Sequence, residues 1–243
     1  MAGRIAVVTG ASKGLGRAIA LGYAAAGATV VVSSRKEQAC ETVVDEIRAS
    51  GGQAVAVRCH VGDWNDCAAL TDNVVQRFGR IDVLVNNAGI APSVPRLVDV
   101  TEELFDKTFA VDLKGPLRLM ALASEVMPDG SSIVNISSRA STRPSPWTSV
   151  YAAAKAGLNT LTVAAAQELG PRGIRVNTIV CGPFRTDSFE RALGSTTDES
   201  MLTARMPLRR IGDPDEIVGT AVWLATPASS YVTGALISVD GGA

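Results

Sequence analysis

Short apolar runs rich in Val and Ile recur along the chain, separated by longer segments in which apolar residues are spaced three or four apart. The runs do not alternate apolar and polar positions, which indicates strands buried on both faces rather than half exposed. We therefore predict seven strands, at residues 4–9, 28–33, 54–57, 81–85, 133–136, 174–180 and 235–239.

The segments between these runs carry helical spacing. After the first run, apolar or small residues fall on one helical face at Leu15, Ile19, Gly22, Tyr23 and Ala26. Further helices are predicted at residues 36–50, 64–78, 101–127, 150–169 and 214–225. Thr101 is the expected N-cap of the helix that continues to about Met127. Residues 182–206 are polar and irregular or weakly helical.

Strand and helix alternate throughout, with no linker or low-complexity tract between them. Parallel strands joined by helical crossovers are covered on both faces and wound right-handedly. The pattern predicts an α/β fold, with one doubly wound, parallel, seven-stranded sheet and helices on both faces. We expect residues 1–243 to form a single domain.

Composition narrows the range of partners. Of the 243 residues, 47% are hydrophobic and 19% charged, the net charge is −1, and the pI is near 5.9. This balance gives no basic footprint for nucleic acid or an anionic membrane. No apolar run reaches the roughly 18 residues that would span a bilayer, and no signal peptide precedes Ile5. The expected location is the cytoplasm.

Metal and disulfide chemistry are not indicated. The four cysteines, Cys40, Cys59, Cys67 and Cys181, form no C-x-x-C pair, and the chain has one histidine. We expect neither a metal site nor a disulfide framework.

Glycines cluster directly after the first strand. Gly10, Gly14 and Gly16 lie between that strand and the first helix, and Ser12, Lys13 and Leu15 complete the loop. Such a loop lets a pyrophosphate approach the backbone at a helix N-terminus, where the amides and the helix dipole favour anions. The alternative is a glycine-rich turn without a ligand. The position within a strand–helix–strand unit favours a dinucleotide site of the Rossmann type.

The end of the second strand bears on which nucleotide binds. An NAD site usually carries an acidic residue here for the ribose 2′-hydroxyl. This chain has Ser34, Arg35 and Lys36 instead, and Lys13 lies in the glycine loop. Cations and hydroxyls favour a 2′-phosphate, so NADP(H) is favoured over NAD(H). The alternative is that Arg35 and Lys36 are solvated charges at the start of a helix.

A tyrosine and a lysine are spaced by one helical turn. Tyr151 and Lys155 lie four apart in an Ala- and Leu-rich segment, so they share a helix face. A cation beside a phenol is expected to lower the pKa of Tyr151 and to suit it for general acid–base work. Ser138, 13 positions before Tyr151, ends a buried strand and could hold a substrate oxygen against the phenol. Alone, such a pair is a weak signal.

Together these motifs resemble the short-chain dehydrogenase/reductase family over essentially the whole chain, especially its 3-oxoacyl-carrier-protein reductases, gluconate dehydrogenases and ketone reductases. The matching segments are Thr9 to Gly16, Asn86-Asn87-Ala88-Gly89, Ser138, Tyr151 with Lys155, Gly182-Pro183 with Thr186, and Val239-Asp240-Gly241-Gly242.

The resemblance implies roles for these positions. Tyr151 would donate or accept the proton, Lys155 would bind the nicotinamide ribose and tune Tyr151, and Ser138 would position the substrate oxygen. Further cofactor contacts are implied on the adenosine side and at the carboxamide. They are His60, Val61, Asn87, Ala88 and Gly89 for the former, and Pro183 and Thr186 for the latter.

Two positions depart from the family. Asp112 replaces an asparagine that usually binds a water in a proton relay to the lysine, and a carboxylate there would favour a charged Lys155. We expect activity with a changed pH profile. His60 stands where an aspartate often contacts adenine, and we expect a packed or adenine-edge imidazole rather than a catalytic one.

The implied reaction is reversible hydride transfer between NADP(H) and a small carbonyl/alcohol substrate. Alternatives are an NAD-dependent alcohol dehydrogenase and a catalytically weak nucleotide-binding regulator. Pro144, Pro146 and Trp147 suggest an apolar pocket wall. Arginines near the mouth could attract an anionic substrate such as an acyl thioester, or could be solvated; they are Arg139, Arg143, Arg185 and Arg191.

Two larger-scale expectations remain. Residues 184–206 are a candidate substrate lid. The resemblance implies a homotetramer, and the small residues Ala152, Ala153, Ala156 and Gly157 would permit close helix approach.

Overall fold

The chain forms one seven-stranded sheet, in which neighbouring strands run parallel throughout. A computed structural model describes residues 1–193, 199–204 and 206–243. The strands lie in the order β3-β2-β1-β4-β5-β6-β7. They are β1 (Ile5–Thr9), β2 (Thr29–Ser34), β3 (Gln53–Arg58), β4 (Val83–Asn86), β5 (Ser132–Ser138), β6 (Arg175–Cys181) and β7 (Leu236–Val239).

Helices follow the strands along the chain. They are α1 (Gly14–Ala25), α2 (Glu37–Ala49), α3 (Trp64–Phe78), α4 (Glu102–Phe109), α5 (Gly115–Val126), α6 (Ser149–Leu169), α7 (Asp187–Leu193), α8 (Glu199–Thr203) and α9 (Val218–Leu224). The predicted fold class is confirmed, and strand and helix ends mostly lie within one or two residues of those expected. No helix in the described ranges is both long enough and apolar enough to cross a membrane.

The core has two parts, one on each face of the sheet. The first packs α1, α2 and α9 against the sheet around Ile19, Tyr23 and Ile217. The second packs α3, α5 and α6 around Leu70, Leu119 and other buried side chains. Both faces of the central strands are therefore buried, which is why their sequences are continuous apolar runs.

The order in which strands are added to the sheet reverses at β1. From β1 it proceeds outwards through β2 to β3, and it then returns to place β4 on the other side of β1. In open α/β sheets the crevice at the carboxyl ends of the strands next to such a reversal is the usual ligand site. The glycine loop after β1 and the asparagines after β4 both lie there.

The predicted helix at 101–127 is wrong in its continuity. Thr101 does cap its start, since the Leu104 amide donates to Thr101 Oγ1 at 3.2 Å. However, a π-helical turn, Ala110–Lys114, separates α4 from α5 and contains the buried Asp112. Such turns interrupt the helical repeat by one residue and are frequent at functional sites.

The segment expected as a lid contains α7 and α8 in its described parts. Residues 194–198 and 205 of that segment lie outside the described residues.

Candidate active site

Side chains from β5, α6 and the π-helical turn converge at the carboxyl end of the sheet. Ser138 is the last residue of β5, and Tyr151 and Lys155 lie one turn apart near the start of α6. Lys155 Nζ is 5.9 Å from the centre of the Tyr151 ring. Tyr151 is partly exposed, whereas Lys155 and Asp112 are 3% and 0% exposed. Part of the Tyr151 side chain is thus accessible, whereas its charged neighbours are enclosed.

Lys155 and Asp112 form a buried ion pair. Lys155 Nζ lies 3.1 Å from Asp112 Oδ1 and also donates to the carbonyl oxygen of Ile136 at 3.0 Å. The amide of Ile90 lies 3.3 Å from each carboxylate oxygen of Asp112. The carboxylate therefore connects the lysine to the segment that follows β4, a role that an asparagine could fill only in part because its amide nitrogen cannot accept.

The absence of a side chain at Gly89 makes room for this ion pair. A Cβ added at Gly89 would lie 2.7 Å from Asp112 Oδ1 and 3.5 Å from Lys155 Nζ. The glycine of the Asn86–Gly89 motif is therefore required sterically by Asp112, in addition to any contact with a cofactor.

The prediction that Lys155 lowers the pKa of Tyr151 is wrong as a net effect. Burial raises the pKa of Tyr151, the charge of Lys155 lowers it, and the charge of Asp112 raises it again, with the net shift upwards. A hydrogen bond with Ser138 opposes this rise. Burial of the phenol is the largest cause of the rise, and the carboxylate of Asp112 partly offsets the effect of the lysine cation.

The pKa values of Lys155 and Asp112 are also shifted. Burial disfavours the charged form of Lys155, but the charge of Asp112, together with interactions with Tyr151 and the hydrogen bond to Asp112, outweighs it and raises the pKa of Lys155. Burial raises the pKa of Asp112, and Lys155 and the Ile90 amide counter that rise. A lysine held charged suits the ribose-binding role expected of it.

The glycine loop packs tightly against the segment after β4. Gly10 has a φ of 64°, and a Cβ there would lie 2.7 Å from Ala88 Cα. A Cβ at Gly16 would overlap Nδ2 of Asn87 and the carbonyl oxygen of Gly10. Asn87 Nδ2 donates to the carbonyl oxygens of Thr9 and Gly10 at 2.8 and 3.2 Å. Asn87 thus fixes the conformation of the loop that leads into α1.

Thr186 completes this end of the site. Its Cγ2 lies 3.3 Å from where a Cβ of Gly14 would be, so the glycine loop and the residues after β6 are neighbours. Thr186 Oγ1 accepts from the amide of Phe189 at 3.2 Å, and the Pro183 carbonyl accepts from Gly212 at 3.1 Å. The two segments expected to contact pyrophosphate and carboxamide are therefore side by side.

The cations expected near a 2′-phosphate differ in whether a carboxylate already lies beside them. Lys13 Nζ lies 2.7 Å from Asp187 Oδ2, an exposed ion pair that the sequence did not predict. Arg35 and Lys36 are exposed at the end of β2. Ser34 Oγ donates to the carbonyl oxygen of Lys36 at 3.3 Å and lies 3.1 Å from Cys40 Sγ. Arg35 and Lys36 are thus better placed than Lys13 to meet a new anion.

His60 has a packing role in the structure. Its Nδ1 accepts a hydrogen bond from the Gly62 amide at 3.1 Å, and its own amide donates to Asp66 Oδ2 at 2.9 Å. The adjacent Val61 carbonyl oxygen contacts Gly115 so closely that a Cβ there would overlap it. The histidine therefore shapes the loop after β3, and nothing in its contacts places it with Tyr151.

Sequence reasoning missed Asn159 and Ser141. Asn159 Nδ2 donates to Ser141 Oγ at 2.9 Å, and Ser141 Oγ donates to the carbonyl oxygen of Ser138 at 2.5 Å. The available signal was spacing, since Tyr151, Lys155 and Asn159 recur every fourth residue on α6. Within the described ranges, no three metal-ligating side chains come together.

Comparison with known proteins agrees with this arrangement. A family model described as enoyl-(acyl carrier protein) reductase matches residues 10–243. An uncharacterized oxidoreductase of Methylorubrum extorquens is 40% identical over 242 residues, covering 99% of this chain and 97% of the relative.

Solved structures superpose closely. A dehydrogenase/reductase from Sinorhizobium meliloti has a TM-score of 0.94 at 38% identity, with 100% of this chain and 95% of the other covered. A short-chain dehydrogenase from Burkholderia cenocepacia in complex with NADP has a TM-score of 0.93 at 34% identity, covering 99% and 98%. With its parallel sheet, glycine loop and Ser–Tyr–Lys arrangement, the chain belongs to the short-chain dehydrogenase/reductase family of oxidoreductases.

Proposed function

We propose that the protein transfers hydride reversibly between NADP(H) and a carbonyl/alcohol pair, with Tyr151 as the proton donor and acceptor. The observation that carries this proposal is the meeting of Ser138, Tyr151 and Lys155 at the carboxyl end of the sheet, where the glycine loop leads into α1. The nicotinamide supplies the hydride when bound. The remaining chemistry is a proton transfer and the stabilisation of charge on the substrate oxygen.

Each side chain has a role that follows from its contacts. Tyr151 is partly exposed, so its hydroxyl can reach a substrate oxygen, and the Ser138 hydroxyl can donate to the same oxygen as negative charge develops. Lys155 is held charged by Asp112 and provides a fixed positive field next to the phenol. The raised pKa of Tyr151 keeps the phenol protonated at neutral pH, so that it can donate a proton to a carbonyl oxygen that is being reduced.

The cofactor is proposed to be NADP(H). Arg35 and Lys36 are exposed cations after β2, and Ser34 stands where an NAD site usually has a carboxylate. The similar Burkholderia structure contains NADP. The residues present fit the nucleotide, because Gly10, Gly14 and Gly16 put no side chain on the loop between β1 and α1, so that a phosphate can approach the backbone amides there. Comparing NADPH and NADH dissociation constants tests this directly.

The substrate is proposed to be an uncharged carbonyl compound rather than an acyl-carrier thioester. Two of the arginines considered for an anionic substrate are paired with carboxylates: Arg139 with Asp240 at 3.2 Å and Arg185 with Glu199 at 2.8 Å. Trp147 is 56% exposed, and its carbonyl oxygen accepts from Val94 at 2.9 Å, which joins the two loops beside the site. Trp147 precedes Tyr151 by four residues and offers an apolar surface to a ligand there.

Two alternatives make different predictions. An NAD-dependent alcohol dehydrogenase would use the same residues but bind NADH more tightly than NADPH. A nucleotide-binding regulator would bind NADPH without turnover, and Asp112 is the feature that favours it. NADPH oxidation at fixed enzyme across neutral ketones, diketones and β-ketoacyl thioesters separates these cases. The proposal predicts turnover of neutral ketones, and NADPH binding without turnover of any of them would favour the regulator.

We further propose a homotetramer that works in a reducing compartment, the cytoplasm. All four cysteines are free and buried, as expected where thiols stay reduced. Ala153 is exposed on α6 and Leu236 is 44% exposed on the edge strand β7. Gly157, by contrast, packs within the chain, because a Cβ there would lie 3.1 Å from Leu113 Cδ1. Light scattering on the purified protein measures the oligomeric state.

A further inference from the structure

The hydroxyl of Ser141 joins the segment that carries Ser138 to the helix that carries Tyr151 and Lys155. Ser141 Oγ lies 2.5 Å from the carbonyl oxygen of Ser138 and 2.9 Å from Nδ2 of Asn159. Asn159 lies one turn beyond Lys155 on α6, so the amide shares a helix face with Tyr151 and Lys155.

The direction of both hydrogen bonds is fixed by chemistry. A carbonyl oxygen can only accept, so the single proton of the Ser141 hydroxyl goes to Ser138. The Ser141 oxygen is then left as an acceptor, and only the amide nitrogen of Asn159 can donate to it. The two side chains therefore form a chain of two hydrogen bonds that runs from Asn159 on α6 to the backbone carbonyl of Ser138 at the end of β5.

The position of Asn159 is costly for stability. Asn159 is 7% exposed, and its Oδ1 is among the buried polar atoms that have no hydrogen-bond partner in the described parts of the chain. A buried, unpaired amide oxygen destabilises the fold, and an apolar side chain of the same size would avoid that cost. Stability alone therefore does not account for an amide at this place, whereas the orientation of Ser141 does.

The turn that Ser141 holds also fixes the Ser138 hydroxyl. Residues Arg139–Ser141 form a single 3-10 turn after β5, and the Ala140 amide donates to Ser138 Oγ at 3.2 Å. The Arg143 amide donates to the carbonyl oxygen of Arg139 at 2.8 Å. These bonds set the turn internally, and the link through Ser141 to Asn159 ties it to α6. β5 and α6 are also joined by the bond from Lys155 Nζ to the Ile136 carbonyl oxygen, and the link through Ser141 adds the contact that lies beyond the end of the strand, next to Ser138.

We infer that Asn159 and Ser141 are positioning residues, which hold the Ser138 hydroxyl in register with the Tyr151 phenol so that both can bind one substrate oxygen. This inference rests on the function proposed above. The pair touches neither substrate nor cofactor, and it acts through the backbone of Ser138. Its loss is expected to reduce turnover of the carbonyl substrate and to leave the nucleotide site unchanged.

The test is a double-mutant cycle with Asn159→Leu, Ser141→Ala and the combined variant, on a ketone that the wild type reduces. Each single change is expected to lower kcat/KM by about 10- to 100-fold, the cost of a small misplacement of a reacting group. The kcat/KM of the double variant is expected to be no lower than that of the less active single variant, because both changes break the same pair of hydrogen bonds. Ser141→Thr, which keeps the hydroxyl, should retain near-wild-type activity, and so should Thr160→Ala on the exposed side of α6.

Several outcomes would overturn the inference. Wild-type activity in both single variants would do so, as would losses that multiply in the double variant, or a matching loss of NADPH affinity. Amide hydrogen exchange over residues 139–143 gives a readout independent of turnover and is expected to speed up in Asn159→Leu. If the wild type reduces no carbonyl, the proposed function fails while hydrogen exchange still tests the link. Should Asn159→Leu not fold, Ser141→Ala removes only a partly exposed hydroxyl and carries the test.

Discussion

Asp112 Oδ1 lies 3.1 Å from Lys155 Nζ, and both side chains are almost completely buried. The lysine therefore has a full counter-charge directly beside it. A neutral asparagine would leave the lysine cation free to lower the pKa of Tyr151. In this chain burial and Asp112 together outweigh that effect, and the pKa of Tyr151 is raised.

The first prediction concerns pH. Asp112→Asn removes a negative charge that raises the pKa of Tyr151, so that pKa should fall. Oxidation of alcohol requires the phenolate, and its rate should therefore rise at a lower pH than in the wild type. The alkaline decline of carbonyl reduction, which requires the neutral phenol, should move in the same direction. We expect both limbs of the kcat/KM profile to shift to lower pH by about one unit.

The matched control is Asp106→Asn, which removes an exposed carboxylate from α4. Its pH profile should coincide with that of the wild type. Coincident profiles for Asp112→Asn and the wild type would instead remove any special role for the buried acid.

The second prediction concerns Gly89. Gly89→Ala places a Cβ against Asp112 Oδ1, so the ion pair with Lys155 must shift. We expect kcat to fall by about 10- to 100-fold, measured by NADPH oxidation with a saturating ketone. Gly219→Ala is the control, because a Cβ there meets nothing within 4 Å. Equal activities for the two variants would show that the pair tolerates displacement.

The third prediction concerns cofactor choice. Arg35→Ala removes an exposed cation next to the position expected for the 2′-phosphate. The dissociation constant of NADPH should rise by about tenfold, the usual effect of one charge-assisted hydrogen bond. That of NADH should stay the same, because NADH has no 2′-phosphate. A parallel loss of affinity for both nucleotides would indicate that Arg35 acts elsewhere. Binding is measured by the fluorescence of the reduced nicotinamide.

The fourth prediction concerns Lys13. Asp187 pairs with this lysine at 2.7 Å, and both groups are more than half exposed. Asp187→Ala frees the ammonium, so NADPH binding should tighten by a few-fold, and more at low than at high salt. Unchanged NADPH affinity at low salt would show that Lys13 does not reach the nucleotide phosphates.

The fold could be predicted from sequence because its signals are local. Strands such as β1 are buried on both faces, so the residues Ile5 to Val8 are apolar without a break, and helix α3 has the bounds 64–78 expected from its spacing. The positions of Ser138, Tyr151 and Lys155 at one end of the sheet also follow from local order along the chain.

The features of the site that could not be predicted from the sequence depend on residues that are distant along the chain. The pKa of Tyr151 rises rather than falls because burial of the phenol outweighs the lysine cation, and Asp112, some forty positions earlier, adds to the rise. Lys13 is paired with Asp187 from the other half of the chain. The π-helical turn at Ala110–Lys114 likewise arises from packing between elements. So do the hydrogen bonds that link Asn159 through Ser141 to Ser138. The spacing of Tyr151, Lys155 and Asn159 indicates a shared helix face, but it does not report which residues of other elements that face contacts.

The most direct test of the proposed chemistry is single-turnover reduction of a ketone by Tyr151→Phe with bound NADPH. The phenyl ring keeps the packing of α6 but lacks the proton. We predict that the rate falls by about 10²–10⁴-fold, while the dissociation constant of NADPH stays within about twofold of the wild-type value. A variant that retains more than about a tenth of the wild-type rate would contradict the assignment of Tyr151 as the proton donor.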